Sequence, residues 1–151
     1  MTFTGPLEDR IAIRELLETY ADAVCRVDDE AWGSTWAEDG VWEMPDYPGM
    51  GAITGRANIV AFWKLAMEGF PGLVFTATPG SIVVDGDEAH VVSYTTEVYD
   101  RDAVTRRDLG RYEDILVKRT GLWFFKARRF RYIHRQLRQG PRDADGASVY
   151  T

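Results

Sequence analysis

Residues 110–119, Gly-Arg-Tyr-Glu-Asp-Ile-Leu-Val-Lys-Arg, put two adjacent carboxylates into a stretch patterned as a β-strand. Alternation places Arg111, Glu113 and Ile115 on one face and Tyr112, Asp114 and Leu116 on the other. A carboxyl facing an apolar interior is pushed up in pKa by desolvation, toward the range in which it exchanges protons at neutral pH. Leu116 favours the second face as the inward one, hence Asp114 with Tyr112; a bulge would reverse the choice and present Glu113. His90 and His134 stand alone and far apart, and the chain has no Cys/His cluster, so no zinc site is expected. Cys25, the single cysteine, would be a nucleophile only if a neighbouring cation lowered its pKa. Arg26 follows it directly and on a helix points elsewhere, so a buried, inert thiol is the expectation.

The elements that would position these groups fall in a simple order. Pro6 with Glu8 and Asp9 marks a helix start, and Ile13, Leu16, Leu17, Tyr20 and Val24 form one helical stripe. Asp28-Asp29 can cap a second, shorter helix in which Trp32 and Trp36 sit one turn apart, ended by Glu38-Asp39-Gly40. Residues 41–45 read as a short strand with Trp42 and Met44 on one face, and residues 46–53, with one proline and two glycines, as a loop. Thr54-Gly55-Arg56 opens a third helix with Ile59, Phe62, Trp63 and Ala66 on its buried stripe. Strands follow over 73–84, 89–99, 110–119 and 122–135, with turns at Asp85-Gly86-Asp87 and Thr120-Gly121 and a polar loop over 100–109. Helices grouped before strands indicate α+β rather than α/β. One domain over 1–135 and a loose tail over 136–151 are expected.

Composition narrows the function. With 151 residues, 45% hydrophobic and 28% charged, the chain is long enough for one substantial core. Aromatics at 13%, five of them Trp, furnish either a heavy core or an aromatic-lined cavity. A net charge of −6 opposes nucleic-acid binding, which rests on phosphate neutralisation. The basic residues between Lys126 and Arg138 alternate with aromatics as a strand would. No stretch approaches the roughly 20 apolar residues of a membrane span, and residues 1–10 lack the pattern of a signal peptide. With a single cysteine, a cytoplasmic protein is expected.

The segments Tyr20-Ala21, Trp36-Ala37-Glu38-Asp39-Gly40-Val41-Trp42, Ile53-Thr54-Gly55-Arg56, Val84-Asp85-Gly86-Asp87-Glu88-Ala89, Gly110-Arg111-Tyr112-Glu113-Asp114 and Gly121-Leu122-Trp123 recur in order and spacing. Over roughly residues 8–134 the chain resembles the SnoaL-like branch of the NTF2-like (cystatin-like α+β) superfamily. The resemblance implies a cone: three N-terminal helices packed on a strongly curved, mostly antiparallel sheet that encloses an apolar pocket. Relatives include ketosteroid isomerase, scytalone dehydratase, polyketide cyclases, limonene epoxide hydrolase and a hexachlorocyclohexane dehydrochlorinase. They use no metal or organic cofactor and act on small, mostly cyclic apolar molecules, so no cofactor is expected here.

Carried over by position, Tyr20 matches the tyrosine that polarises substrate oxygen in ketosteroid isomerase; read from residues alone it is equally a core tyrosine. Cys25 matches an aspartate of the dehydratases and dehydrochlorinase, Met44 the isomerase's base, and Phe75 or Thr76 a histidine. Arg128, placed by alternation with Lys126 and Phe130, matches a pocket arginine that would stabilise a developing anion, or else lies on an outer face. The isomerase comparison implies that His90, Val92, Tyr94 and Thr96 face the pocket, with Val91, Ser93, Thr95 and Glu97 outside. The expected catalytic set is therefore Tyr20, Asp114 and Arg128. Cys25, Trp42, Met44, Phe62, Trp63, Phe75, Tyr94, Tyr112 and Phe130 are expected to bind the ligand. The resemblance implies a lyase, isomerase or cyclase, active as a homodimer on a small hydrophobic cyclic molecule. The alternatives are a ligand-binding protein without chemistry and a partner resembling the β subunit of an aromatic-ring-hydroxylating dioxygenase. Gly110 to Asp114 and Trp42-Glu43-Met44-Pro45 echo that subunit's patterns.

Overall fold

In the computed structural model, which describes residues 2–139, three helices pack on one seven-stranded sheet of order β1-β4-β5-β6-β7-β2-β3. The strands are β1 (Phe3–Thr4), β2 (Trp36–Glu43), β3 (Ile53–Thr54), β4 (Val74–Asp85), β5 (Glu88–Arg101), β6 (Val104–Arg119) and β7 (Leu122–Gln139). The helices are α1 (Leu7–Arg26), α2 (Asp29–Ser34) and α3 (Arg56–Met67). The β4-β5-β6-β7 meander is antiparallel, whereas β1 joins β4 and β2 joins β7 in parallel. The α+β architecture with grouped helices is as the sequence implied.

The N-terminal stripe buries Ile13, Leu17, Tyr20 and Val24 against the sheet. Asp28 caps α2, its carboxylate accepting from the Ala31 amide at 2.9 Å. That helix ends earlier than the tryptophan spacing suggests. Thr35 folds back with both its amide and its hydroxyl onto the Trp32 carbonyl, and Trp36 already pairs with Phe125 of β7. Glu38, Asp39 and Gly40 thus belong to a strand. Trp32 and Trp36 are both fully buried, one from a helix and one from a strand, with ring centroids 5.7 Å apart.

Three further segments differ from the sequence reading. Ile53 and Thr54 form β3 on the edge of β2. Residues 100–109 are no loop: β5 and β6 run on to a tight turn in which Asp102 and Ala103 both have positive φ, 55° and 59°. Two successive left-handed residues match the right-handed twist of a hairpin, which is why that loop length closes. β7 continues past Arg135 to Gln139, paired with Val104. The expected tail thus loses residues 136–139 to the strand, and residues 140–151 lie outside the described residues.

Bulges set which residues face inward. On β7, Ala127 pairs with Ile115 while Phe125 pairs with Leu116, so Lys126 is the extra residue. A bulge shifts alternation by one. Phe125 and Arg128 are therefore both buried, and Lys126 turns out to Asp39 at 2.9 Å. Lys126 does not share a face with Arg128.

Candidate functional site

A cavity of about 120 Å³ lies between α1, α3 and the concave face of the sheet. Its walls are apolar: Trp42 and Met44 from β2, Phe62, Trp63 and Met67 from α3, Phe75 from β4, and Phe130 from β7. An engineered cavity of roughly 150 Å³ holds a benzene ring, so the space suits one ring rather than a fused system. Of the residues expected to bind ligand, Trp42, Met44, Phe62, Trp63, Phe75, Tyr112 and Phe130 all line it. Cys25 and Tyr94 do not.

Cys25 is exposed, and its Sγ lies on the backbone of β4, accepting from the Phe75 amide at 3.2 Å and donating to the Phe75 carbonyl at 3.3 Å. The expected buried thiol is thus a surface one that ties α1 to β4. Tyr94 is 49% exposed on the outer sheet face, and His90 is also exposed, 3.1 Å from Glu88. The orientation of β5 is the reverse of the one implied: Ala89, Val91, Ser93, Thr95 and Tyr99 are buried. Ser93 and Thr95 are on this inner side, where Phe130 presses its ring over Gly110, beside Thr95 Oγ1.

Tyr20 and Tyr112 bring their hydroxyls together at 3.4 Å on the cavity wall. Behind them lies a sealed ion pair. Arg128 donates from Nε to Asp114 Oδ1 at 2.8 Å and from Nη2 to Oδ2 at 3.1 Å, and both side chains are at most 1% exposed. The guanidinium carbon stands 3.7 Å from the Tyr112 ring centroid, 4.0 Å from Phe125 and 4.3 Å from Tyr20. Burial pushes the Asp114 carboxyl above its ordinary value, with the Arg128 charge opposing. Tyr20 is likewise raised by burial, again opposed by Arg128. Asp114 faces inward as expected, but neither Asp114 nor Arg128 lines the cavity: Nε and Nη2 of Arg128 are spent on Asp114 beneath two tyrosine rings, and its Nη1 is buried without a hydrogen-bond partner among the described residues.

The carboxyl that does reach the cavity is Glu97, which the sequence reading left outside. It sits on β5 opposite Asp108 of β6. Asp108 is partnered, accepting from the Tyr99 hydroxyl at 3.0 Å and lying 3.7 Å from Arg135. No hydrogen bond to Glu97 contributes among the described residues, and desolvation, with the Asp108 charge adding, pushes its carboxyl up to about 7. Near the same end, Tyr47 of the 44–52 loop meets the hydroxyl of Tyr132 on β7. Asp46 fixes that loop by accepting from the Tyr132 amide at 2.9 Å. Glu97 was legible only through parity: it lies on the same side as Ala89, Val91 and Tyr99.

An acid poised near neutrality in an apolar chamber, with paired phenols on the wall, is an arrangement for proton transfer and for donating hydrogen bonds to a ligand oxygen. Among the described residues no three His, Cys, Asp or Glu side chains cluster as metal ligands would, and no helix is long and apolar enough to cross a membrane.

Comparisons with known proteins agree with this fold. The chain is similar in structure to a candidate scytalone dehydratase from Novosphingobium aromaticivorans (23% identity, 96% of this chain and 95% of that one, TM-score 0.76). It is similar to the hexachlorocyclohexane dehydrochlorinase LinA-type3 from Novosphingobium barchaimii (17% identity, 89% and 93% covered, TM-score 0.76). A candidate aromatic ring hydroxylase from Novosphingobium aromaticivorans also superposes on it (23% identity, 89% and 94% covered, TM-score 0.74). At these identities the likeness is one of fold, the cystatin-like α+β cone. No curated protein matches the chain. Residues 5–129 match the SnoaL-like domain, and the chain belongs to the SnoaL-like family.

Proposed function

We propose that the protein is a cofactor-independent lyase, isomerase or cyclase acting on a small, single-ring, largely apolar molecule, with Glu97 as the proton-transferring group. One observation carries this reading: Glu97 is a carboxyl without a hydrogen-bond partner among the described residues, facing an apolar cavity and raised to about 7. Half-ionised at neutral pH, it would serve as base in one step and acid in the next. Tyr20 and Tyr112 would donate to oxygen that gains charge, and Asp114 with Arg128 would hold those rings in place rather than touch the ligand.

Turnover of monocyclic ketones, alcohols and halides by the wild type and by Glu97→Gln tests the proposal. The expected result is loss of 10²-fold or more in the variant, with kcat/KM in the wild type following an ionisation near pH 7. Activity that survives Glu97→Gln unchanged would remove Glu97 from the chemistry.

A non-catalytic role, as a ligand-binding protein or as a partner resembling the β subunit of a ring-hydroxylating dioxygenase, is the second reading; a candidate ring hydroxylase shares the fold. Val83, Tyr94 and Ile115, each more than a third exposed on the outer sheet face, supply apolar surface for a partner. A second copy of the chain is the simplest occupant, and a cytoplasmic homodimer completes the first reading. A monomer in gel filtration, or a protein insoluble without a larger subunit, would favour the second.

A further inference from the structure

We infer that the cavity is built for a ring carrying a protonated amine, held by Glu97 and the surrounding aromatic rings. This deepens the ligand class of the site proposed above and rests on that cavity being the ligand site, but not on turnover. The charge balance at the Glu97 end points this way. Glu97 and Asp108 face each other across β5 and β6, while the cation beside them, Arg135, lies 3.7 Å from Asp108 with a side chain 53% exposed. An ionised Glu97 is therefore a second negative charge with no hydrogen-bonding partner of its own among the described residues. An unpaired charge among apolar groups is costly, and a bound cation relieves that cost where a neutral ligand does not.

The rings of this cone already take side-chain cations. The Arg101 guanidinium lies 4.9 Å from the centroid of Phe70, Arg135 lies 4.2 Å from Tyr132, and Arg128 stacks on three rings. Trp42, Phe62 and Phe130 present aromatic surface to the same cavity as Glu97, the combination that recognises ammonium groups. The Tyr20–Tyr112 and Tyr47–Tyr132 hydroxyl pairs add oxygen acceptors for N–H donors. A volume of about 120 Å³ limits the ligand to one ring with a short ammonium arm.

The test compares calorimetric binding of benzylammonium chloride with that of benzyl alcohol, nearly the same shape without charge, between pH 5.5 and 8. Benzylammonium binds the ionised form of Glu97, so its affinity should rise roughly thirtyfold over that range, as expected for an acid titrating near 7. Proton release on binding should appear as a heat that depends on the buffer. Benzyl alcohol should show no such rise. Glu97→Gln should abolish both the preference for benzylammonium and its pH dependence, whereas Glu97→Asp, which keeps the charge, should retain part of each. Benzylammonium binding no tighter than benzyl alcohol at pH 8, or a pH rise that persists in Glu97→Gln, would overturn the inference. Amine binding through Glu97 without turnover of any panel substrate would keep this inference and sink the enzymatic reading. Turnover of neutral rings with no amine preference would do the reverse.

Discussion

Arg128 and Asp114, on neighbouring strands β7 and β6, form a two-bond ion pair sealed beneath the rings of Tyr20 and Tyr112. Each charge is tolerable only because the other is there. The pair sets the floor on which the paired phenols stand, so its energetics bear on both fold and site.

Removing one partner leaves the other charge buried and unpaired. Arg128→Met and Asp114→Asn should each cost about 3–5 kcal/mol in urea unfolding. The double variant Arg128→Met/Asp114→Leu should recover most of that loss, since two apolar groups of similar volume carry no desolvation penalty. A double variant as unstable as either single one would show that the pair contributes through its own attraction.

Glu97 makes stability depend on pH. Its carboxyl holds a proton in the folded chain up to about 7, whereas the ordinary value is 4.5. Between those values the folded state binds the extra proton, so stability falls as pH rises through this window and levels off above it. The shift corresponds to about 3 kcal/mol at most. Unfolding of the wild type against Glu97→Gln at pH 5 and pH 8 measures it: the difference between the two proteins should grow in favour of the variant at pH 8.

Gly110 permits the inward packing of β5 and β7. A Cβ there would overlap the Phe130 ring and stand 2.8 Å from Thr95 Oγ1. Gly110→Ala should therefore push Phe130 into the cavity, destabilise the protein by about 1–3 kcal/mol, and weaken benzyl alcohol binding more than it weakens the fold. Calorimetry beside thermal unfolding separates the two effects.

Cys25 should react with a thiol reagent in the native protein, at one equivalent and without unfolding, because it is exposed on α1. Modification should proceed more slowly than for a free thiol, since Sγ is engaged with both backbone groups of Phe75. Ligand binding should not protect it, as it lies outside the cavity lining.

Much was legible from residue order alone. The stripe of α1, the opening of α3 at Arg56, the hairpins at Gly86 and Gly121, and the shared faces of Trp42 with Met44 and of Tyr112 with Asp114 follow from local periodicity and turn chemistry. These are short-range properties, fixed by side-chain spacing and by backbone conformations that few residues adopt. Which face of a strand turns inward is a different kind of property. Along β5 Val92, Tyr94 and Val98 point outward, while the inner side carries Ser93 and Glu97, with Thr95 beside the ring of Phe130 over Gly110. On β7 a single extra residue, Lys126, moved Arg128 into the core. Trp32 and Trp36, spaced one helical turn apart, are buried from two different elements. Sequence alternation thus determined that these strands have two faces, and only the packing of helices and bulged neighbours decided that Glu97, rather than Asp114, meets the cavity.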